Sequence, residues 1–148
     1  MQISDILTME RTLCDVASPN KQAALTVLAE LISRADPCLT PTEVLNSFWH
    51  RESQGSTGFG KGVALPHGRL PQCSTGLGAF IRLTTAVDCN ALDGLPVQLL
   101  FAVLMPDTAA RDHLDILAKL AEKFSNANML RQLQSEPSSD KIYHILIS

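Results

Sequence analysis

Apolar residues along this chain switch from helical spacing to strand spacing and back again. Ala24, Val27, Leu28, Leu31 and Ile32 recur at intervals that place them on one side of a helix. Ser18-Pro19 ahead of them reads as an N-cap followed by the first helical position, which predicts a helix running to about Arg34. Thr40-Pro41-Thr42-Glu43 reads as a capping box with proline at the first position, opening a second helix. Its buried face would carry Val44, Leu45, Phe48 and Trp49, with fraying near Arg51.

A polar, glycine-dense stretch from Glu52 to Gly62 follows, and then short apolar runs at Gly62–Leu65, Gly78–Thr84 and Val97–Met105. The last run is Leu- and Val-rich without polar alternation, as expected of a strand covered on both faces. Leu92-Asp93-Gly94 supplies a turn before it, and an earlier strand is predicted near Thr12–Val16. From Ala109 the helical period returns, with Leu114, Leu117, Leu120, Ala121 and Phe124 assigned to one face. A short helix is expected around Met129–Leu133 and a last one over Ser139–Ile147. Helices, then strands, then helices predict an α/β fold: a single domain over residues 1–148 with a mixed β-sheet sandwiched between helices.

Composition narrows the function. The chain has 148 residues, 45% hydrophobic and 18% charged, enough for one real core. A net charge of −3 with 12 scattered Lys and Arg offers no concentrated basic face, which excludes nucleic acid as an expected partner. The start, MQISDILTME, has no basic segment followed by an apolar one, so no signal peptide is predicted. Leu99–Met105 is far shorter than the roughly 20 residues a membrane-spanning helix needs, so no membrane insertion is expected. Cys14, Cys38, Cys73 and Cys89 show neither C-x-x-C pairing nor metal-ligand spacing, and read as small buried or half-buried thiols in a reducing cytoplasm.

The chemistry concentrates in GSTGFGKGVALPHGR, Gly55 to Arg69. Gly55-x-x-x-x-Gly60-Lys61 begins like a nucleotide-binding P-loop, but Gly62 stands where the Mg²⁺-binding hydroxyl belongs. The run Val63-Ala64-Leu65-Pro66 that follows is a strand rather than a helix whose N-terminus receives phosphates, and the dinucleotide pattern fails on the same ground. The segment instead reads as a loop with four glycines leading into a short strand that delivers Pro66-His67-Gly68. Pro66 stiffens the approach to His67, Gly68 permits a close partner, and backbone N–H groups in such turns accept anions. An imidazole there is placed to act as a nucleophile toward phosphorus.

His113 falls in the first turns of the helix after Met105, beyond the end of the most buried strand, where α/β sheets assemble sites. It could donate a hydrogen bond to a phosphoryl oxygen. Arg51, just before the glycine-rich loop, is a candidate clamp for phosphate oxygens, and Lys61 and Arg69 could add positive potential. His50 and His144 have no comparable setting and are read as structural or solvated. The histidines lack metal-ligand spacing and the G-x-S-x-G elbow is missing, so no metal, no cofactor and no hydrolase chemistry is expected.

Arg51–Arg69, RESQGSTGFGKGVALPHGR, closely resembles the signature of the type-2 enzyme IIA domains of the phosphotransferase system, the fructose/mannitol and nitrogen-regulatory group. VQLLFAVLMP and the helix holding His113 resemble the same family, and the similarity extends over nearly the whole chain. The resemblance implies that His67 is phosphorylated through Nε2, that His113 is the second active-site histidine, and that Arg51 lies near the phosphate. It implies a phosphohistidine donor on the small carrier HPr or its nitrogen-branch counterpart, and a cytoplasmic setting. The wording of the signature is more similar to the nitrogen-regulatory type, which signals to regulatory target proteins, than to subunits feeding a sugar permease. Phe59, Leu65 and Arg69 are conservative departures from the family pattern. Oligomeric state is not indicated.

Overall fold

The computed structural model describes residues 1–148. Six strands form one mixed sheet: β1 (Thr12–Val16), β2 (Gly58–Gly60), β3 (Val63–Ala64), β4 (His67–Leu70), β5 (Leu77–Val87) and β6 (Val97–Pro106). The helices are α1 (Lys21–Ser33), α2 (Pro41–Glu52), α3 (Ala110–Phe124), α4 (Ala127–Ser135) and α5 (Ser139–Ile147). β6 organises the sheet. It runs antiparallel to β5 on one edge, while β3 and β4 follow one another in parallel along its other edge. β1 pairs parallel with β5 beyond, and β2 pairs antiparallel with β3.

The apolar run of β6 is buried from Leu99 to Met105 because helices cover both faces. Leu100, Ala102 and Leu104 pack with α1 and α2, whose Leu25, Leu28, Ile32, Val44 and Phe48 form that core. Leu99, Phe101, Val103 and Met105 point to the other face, against Ile116, Leu120 and Phe124 of α3 and residues of α4 and α5. The strand period of two thus splits one sequence run between two cores. Phe101 stacks edge-on with Phe124 at 6.4 Å between ring centres, and truncating a buried phenylalanine of this kind removes about 3–5 kcal/mol of stability.

The second helix begins as its sequence predicts: Thr40 Oγ1 accepts from the Glu43 N–H at 3.2 Å and donates to the Glu43 carboxylate, with Pro41 at the first position. It continues through Arg51 to Glu52. The first helix starts later than predicted. Asn20, not Ser18, is its cap, accepting from the Ala23 N–H at 2.8 Å. Ser18 instead donates its hydroxyl to the Asn20 carbonyl, so the cap role passes to the next competent side chain.

Three other expectations are corrected. In α3 the buried face is His113, Ile116, Leu120 and Phe124, whereas Leu114 is 71% exposed and Leu117 and Ala121 are only half-buried. The stripe is rotated by one helical step because α3 turns Leu114 toward the site cleft rather than the sheet. Cys38 is exposed, while Cys73 and Cys89 are buried and Cys14 is half-buried; burial pushes the Cys89 thiol up to about 11. The short strand expected to close at Pro66 is two strands, because pairing resumes beyond the proline and His67–Leu70 is itself strand β4. No helix is long and apolar enough to cross a membrane.

Candidate functional site

Pro66 separates β3 from β4 while both stay on the same edge of β6. Its carbonyl accepts the Val103 N–H at 2.9 Å, and His67 enters the sheet opposite Val103. Gly68 lets β4 lie directly on α2: a Cβ there would come within 2.6 Å of Ser47 Oγ and 3.1 Å of the Ser47 backbone. That contact sets the floor of a cleft of about 920 Å³ between α2, β4 and the start of α3. His67, His113 and Arg51 all line it, together with Arg69, His50 and Leu114. Lys61 does not; it is exposed at the β2–β3 turn, its N–H held by Asp93 at 2.8 Å.

The hydrogen bonding of His67 distinguishes its two ring nitrogens. Nδ1 lies 2.8 Å from the Leu65 carbonyl oxygen, which can only accept, so Nδ1 carries the proton of the neutral ring. Nε2 is then the nitrogen with a free lone pair. Burial, reinforced by the Arg51 charge, lowers the His67 pKa against the raising effects of the Leu65 carbonyl and Glu52. The neutral form therefore prevails at neutral pH.

His113 stands edge-on to His67, with ring centres 5.2 Å apart and planes at 83°. It is buried, and its Nε2 has no hydrogen-bond partner in the protein. An orphaned buried nitrogen costs free energy unless something brought into the cleft satisfies it. Burial, then the charges of His67 and Arg69, pushes the His113 pKa down to about 4. Arg51 donates from Nη1 to the Gly55 carbonyl at 2.8 Å, which fixes the guanidinium at the cleft while leaving other N–H groups available. α3 opens with Ala109, which supplies no side-chain cap, so the first-turn N–H groups beside the cleft face no side-chain acceptor of their own. The set suits a tetrahedral anion attached to a histidine nitrogen. No three His, Cys, Asp or Glu side chains converge in a way that could hold a metal.

Residues 5–148 match the family described as "Phosphoenolpyruvate-dependent sugar phosphotransferase system, EIIA 2". The chain belongs to this enzyme IIA family. It is 36% identical over 147 residues to a nitrogen regulatory protein of Pseudomonas aeruginosa, covering 99% of this chain and 96% of that one. The crystal structure of nitrogen regulatory protein IIA-Ntr from Neisseria meningitidis superposes with a TM-score of 0.93 at 36% identity, over 97% of this chain and 98% of that one. IIA mannitol from Escherichia coli shares the fold, with a TM-score of 0.78 over 95% of this chain and 98% of that one, at 16% identity.

Sequence reasoning passed over two residues of this IIA cleft. His50, which the sequence gives no special setting, joins Glu43, Asn46 and Ser47 in the cleft-facing stripe of α2, and Gln54 lines the cleft just beyond the helix end. Their helical spacing, opposite Val44 and Phe48, was the available signal. Leu114, which helical spacing predicts to be buried, stands exposed at the mouth.

The lowered pKa values of His67 and His113 predict that this IIA domain loses stability in acid. A histidine with a folded pKa near 4 and an unfolded pKa near 6.5 takes its proton first in the unfolded chain. Its neutral burial supports the fold above pH 6.5, and that support is lost as pH falls toward about 4; His67 acts in the same direction. His113→Gln should therefore lose less stability than the wild type between pH 7 and pH 4.5, read from urea melts. Parallel losses in the two proteins would remove His113 from the explanation.

Proposed function

We propose that this IIA domain is a cytoplasmic phosphoryl carrier that takes phosphate onto Nε2 of His67 from a phosphohistidine of an HPr-type carrier. It then acts through its phosphorylation state on regulatory target proteins in nitrogen and related metabolism. The Nε2 lone pair of His67 attacks phosphorus while the P–N bond to the donor imidazole breaks, and the donor nitrogen recovers its lone pair. Nδ1 keeps its proton on the Leu65 carbonyl throughout, so the ring need not rotate or change tautomer. Arg51, the His113 ring and the α3 N-terminus stabilise the three non-bridging oxygens, and positioning with electrostatics carries the step.

The observation that carries this reading is the Nδ1–Leu65 bond, which leaves Nε2 free on a ring beside an unpaired histidine nitrogen in an open cleft. Exposed Leu114 at the cleft mouth offers an apolar contact for a protein donor, which a small-molecule donor would not need. The nitrogen-regulatory assignment is supported by the 36% identity to proteins of that name, against 28% to fructose-specific EIIABC and EIIA components and 16% to the mannitol domain.

The protein is mixed with phosphoenolpyruvate, the first enzyme of the system and either the nitrogen-branch carrier or HPr, and its intact mass is followed. One acid-labile phosphate, gained faster from the nitrogen-branch carrier, is expected. Faster gain from HPr with onward transfer to a permease cysteine would assign the chain to sugar transport. No gain from either would leave a binding module that keeps the fold without the phosphate.

A further inference from the structure

Behind the cleft lies a buried polar cluster that the phosphoryl-transfer chemistry does not itself use. Glu52, the last residue of α2, has a side chain only 2% exposed. Its carboxylate accepts from Lys21 Nζ at 2.6 Å, from the Thr57 N–H at 3.3 Å, and from the Thr57 hydroxyl. Lys21, at the start of α1, also stands over the Trp49 ring at 5.6 Å. A charge pair placed this deep gains little stability over apolar side chains of similar size, so its value lies in what it orders.

What it orders is the glycine-rich segment. Gly55, Gly58, Gly60 and Gly62 leave that backbone few conformational restraints, and all but Gly58 adopt positive φ. Thr57 is the anchor: its side chain is tied to Glu52, and its carbonyl accepts the Leu65 N–H at 3.0 Å, closing the base of the β2–β3 hairpin. The same Leu65 peptide chain then turns its carbonyl to His67 Nδ1 at 2.8 Å. An unbroken path therefore runs from α1 and α2 through Glu52, Thr57 and Leu65 to the ring that carries the reaction.

We infer that Glu52 and Thr57 are positioning residues, which hold the Leu65 carbonyl where it keeps His67 in the Nδ1–H tautomer with Nε2 free to attack. The catalytic consequence rests on the phosphoryl-transfer reading above; the tautomer control does not. Without the Thr57 anchor the hairpin base loosens, the Leu65 carbonyl moves, and the ring samples the other tautomer, in which Nε2 is protonated and cannot attack. Neither residue touches the incoming phosphoryl group, so donor binding should be spared.

The test uses the full chain with Thr57→Val, which keeps the shape and removes the hydroxyl, and Thr57→Ser, which restores it. Glu52→Gln is the obvious variant, but it strips Lys21 of its counter-charge and endangers the fold, so the Thr57 pair decides. Nitrogen-15 NMR of the unphosphorylated proteins reads the His67 tautomer without any donor. Thr57→Val should raise the Nε2–H population, and its transfer rate at saturating carrier should fall about tenfold with little change in KM, the worth of one hydrogen bond. Thr57→Ser should return both toward wild type. A Thr57→Val protein with the wild-type tautomer, or a Thr57→Ser protein as altered as Thr57→Val, overturns the inference. Should neither carrier phosphorylate the wild type, the phosphoryl-transfer reading fails by itself, and the tautomer comparison alone upholds or overturns the positioning role.

Discussion

His67→Ala is expected to yield a folded protein that takes up no acid-labile phosphate from either carrier, whatever the incubation time. The loss should be complete because no other side chain in the cleft combines a free lone-pair nitrogen with a fixed tautomer. His113 is the nearest alternative, but its ring is buried and its pKa, near 4, marks a poor nucleophile in an apolar setting. His50 is exposed at the cleft and lacks a carbonyl partner that would choose its nitrogen. The fold should survive, since His67 is only half-buried and contributes one side-chain hydrogen bond, which is worth about 0.5–1.5 kcal/mol. Intact mass spectrometry and circular dichroism together check this. Phosphate on a well-folded His67→Ala protein would move the acceptor to another residue.

The second large effect is expected at His113. Its orphaned Nε2 beside His67 suits a donor to a phosphoryl oxygen, and one such preorganised donor is worth about 10²-fold in rate, or ~2.7 kcal/mol. His113→Ala should therefore accept one phosphate on His67 about 10²-fold more slowly, and His113→Gln, which keeps a donor of similar reach, should recover part of the rate. Quenched-flow transfer from phosphorylated carrier measures both. An unaltered rate in His113→Ala would make the edge-on pairing of the two rings a packing contact only. Complete loss in His67→Ala beside slowed transfer in His113→Ala would separate an acceptor from a residue that only assists transfer.

Much of the architecture could be read before any coordinates. Thr40 with Pro41 marks the start of α2 within a residue, and the unbroken apolar run Leu99–Met105 marks β6 as a two-faced strand, because a capping box and a residue period are local properties. β4 could not be read in this way. His67-Gly68-Arg69-Leu70 has little strand propensity, and it is a strand because β6 offers a free parallel edge and Ser47 of α2 offers a surface that only glycine can approach. The phase of α3 also escaped. Leu114 and Ile116 are equally apolar, and choosing between them required knowing which side of the helix met the sheet and which met the cleft.

The site divides along the same line. Residue type and motif single out His67, His113 and Arg51 as candidates, and the fold brings all three to one cleft. Sequence alone also determined the capping box of α2, the central strand and the family to which the chain belongs. Only the tertiary structure decided which nitrogen of His67 is free, that His113 is buried with an unpaired atom, and that Glu52 is tied to Thr57 rather than to solvent. Those outcomes depend on desolvation and on carbonyls and charges brought in by other elements of the fold, and neither is a property of a residue or of its immediate neighbours.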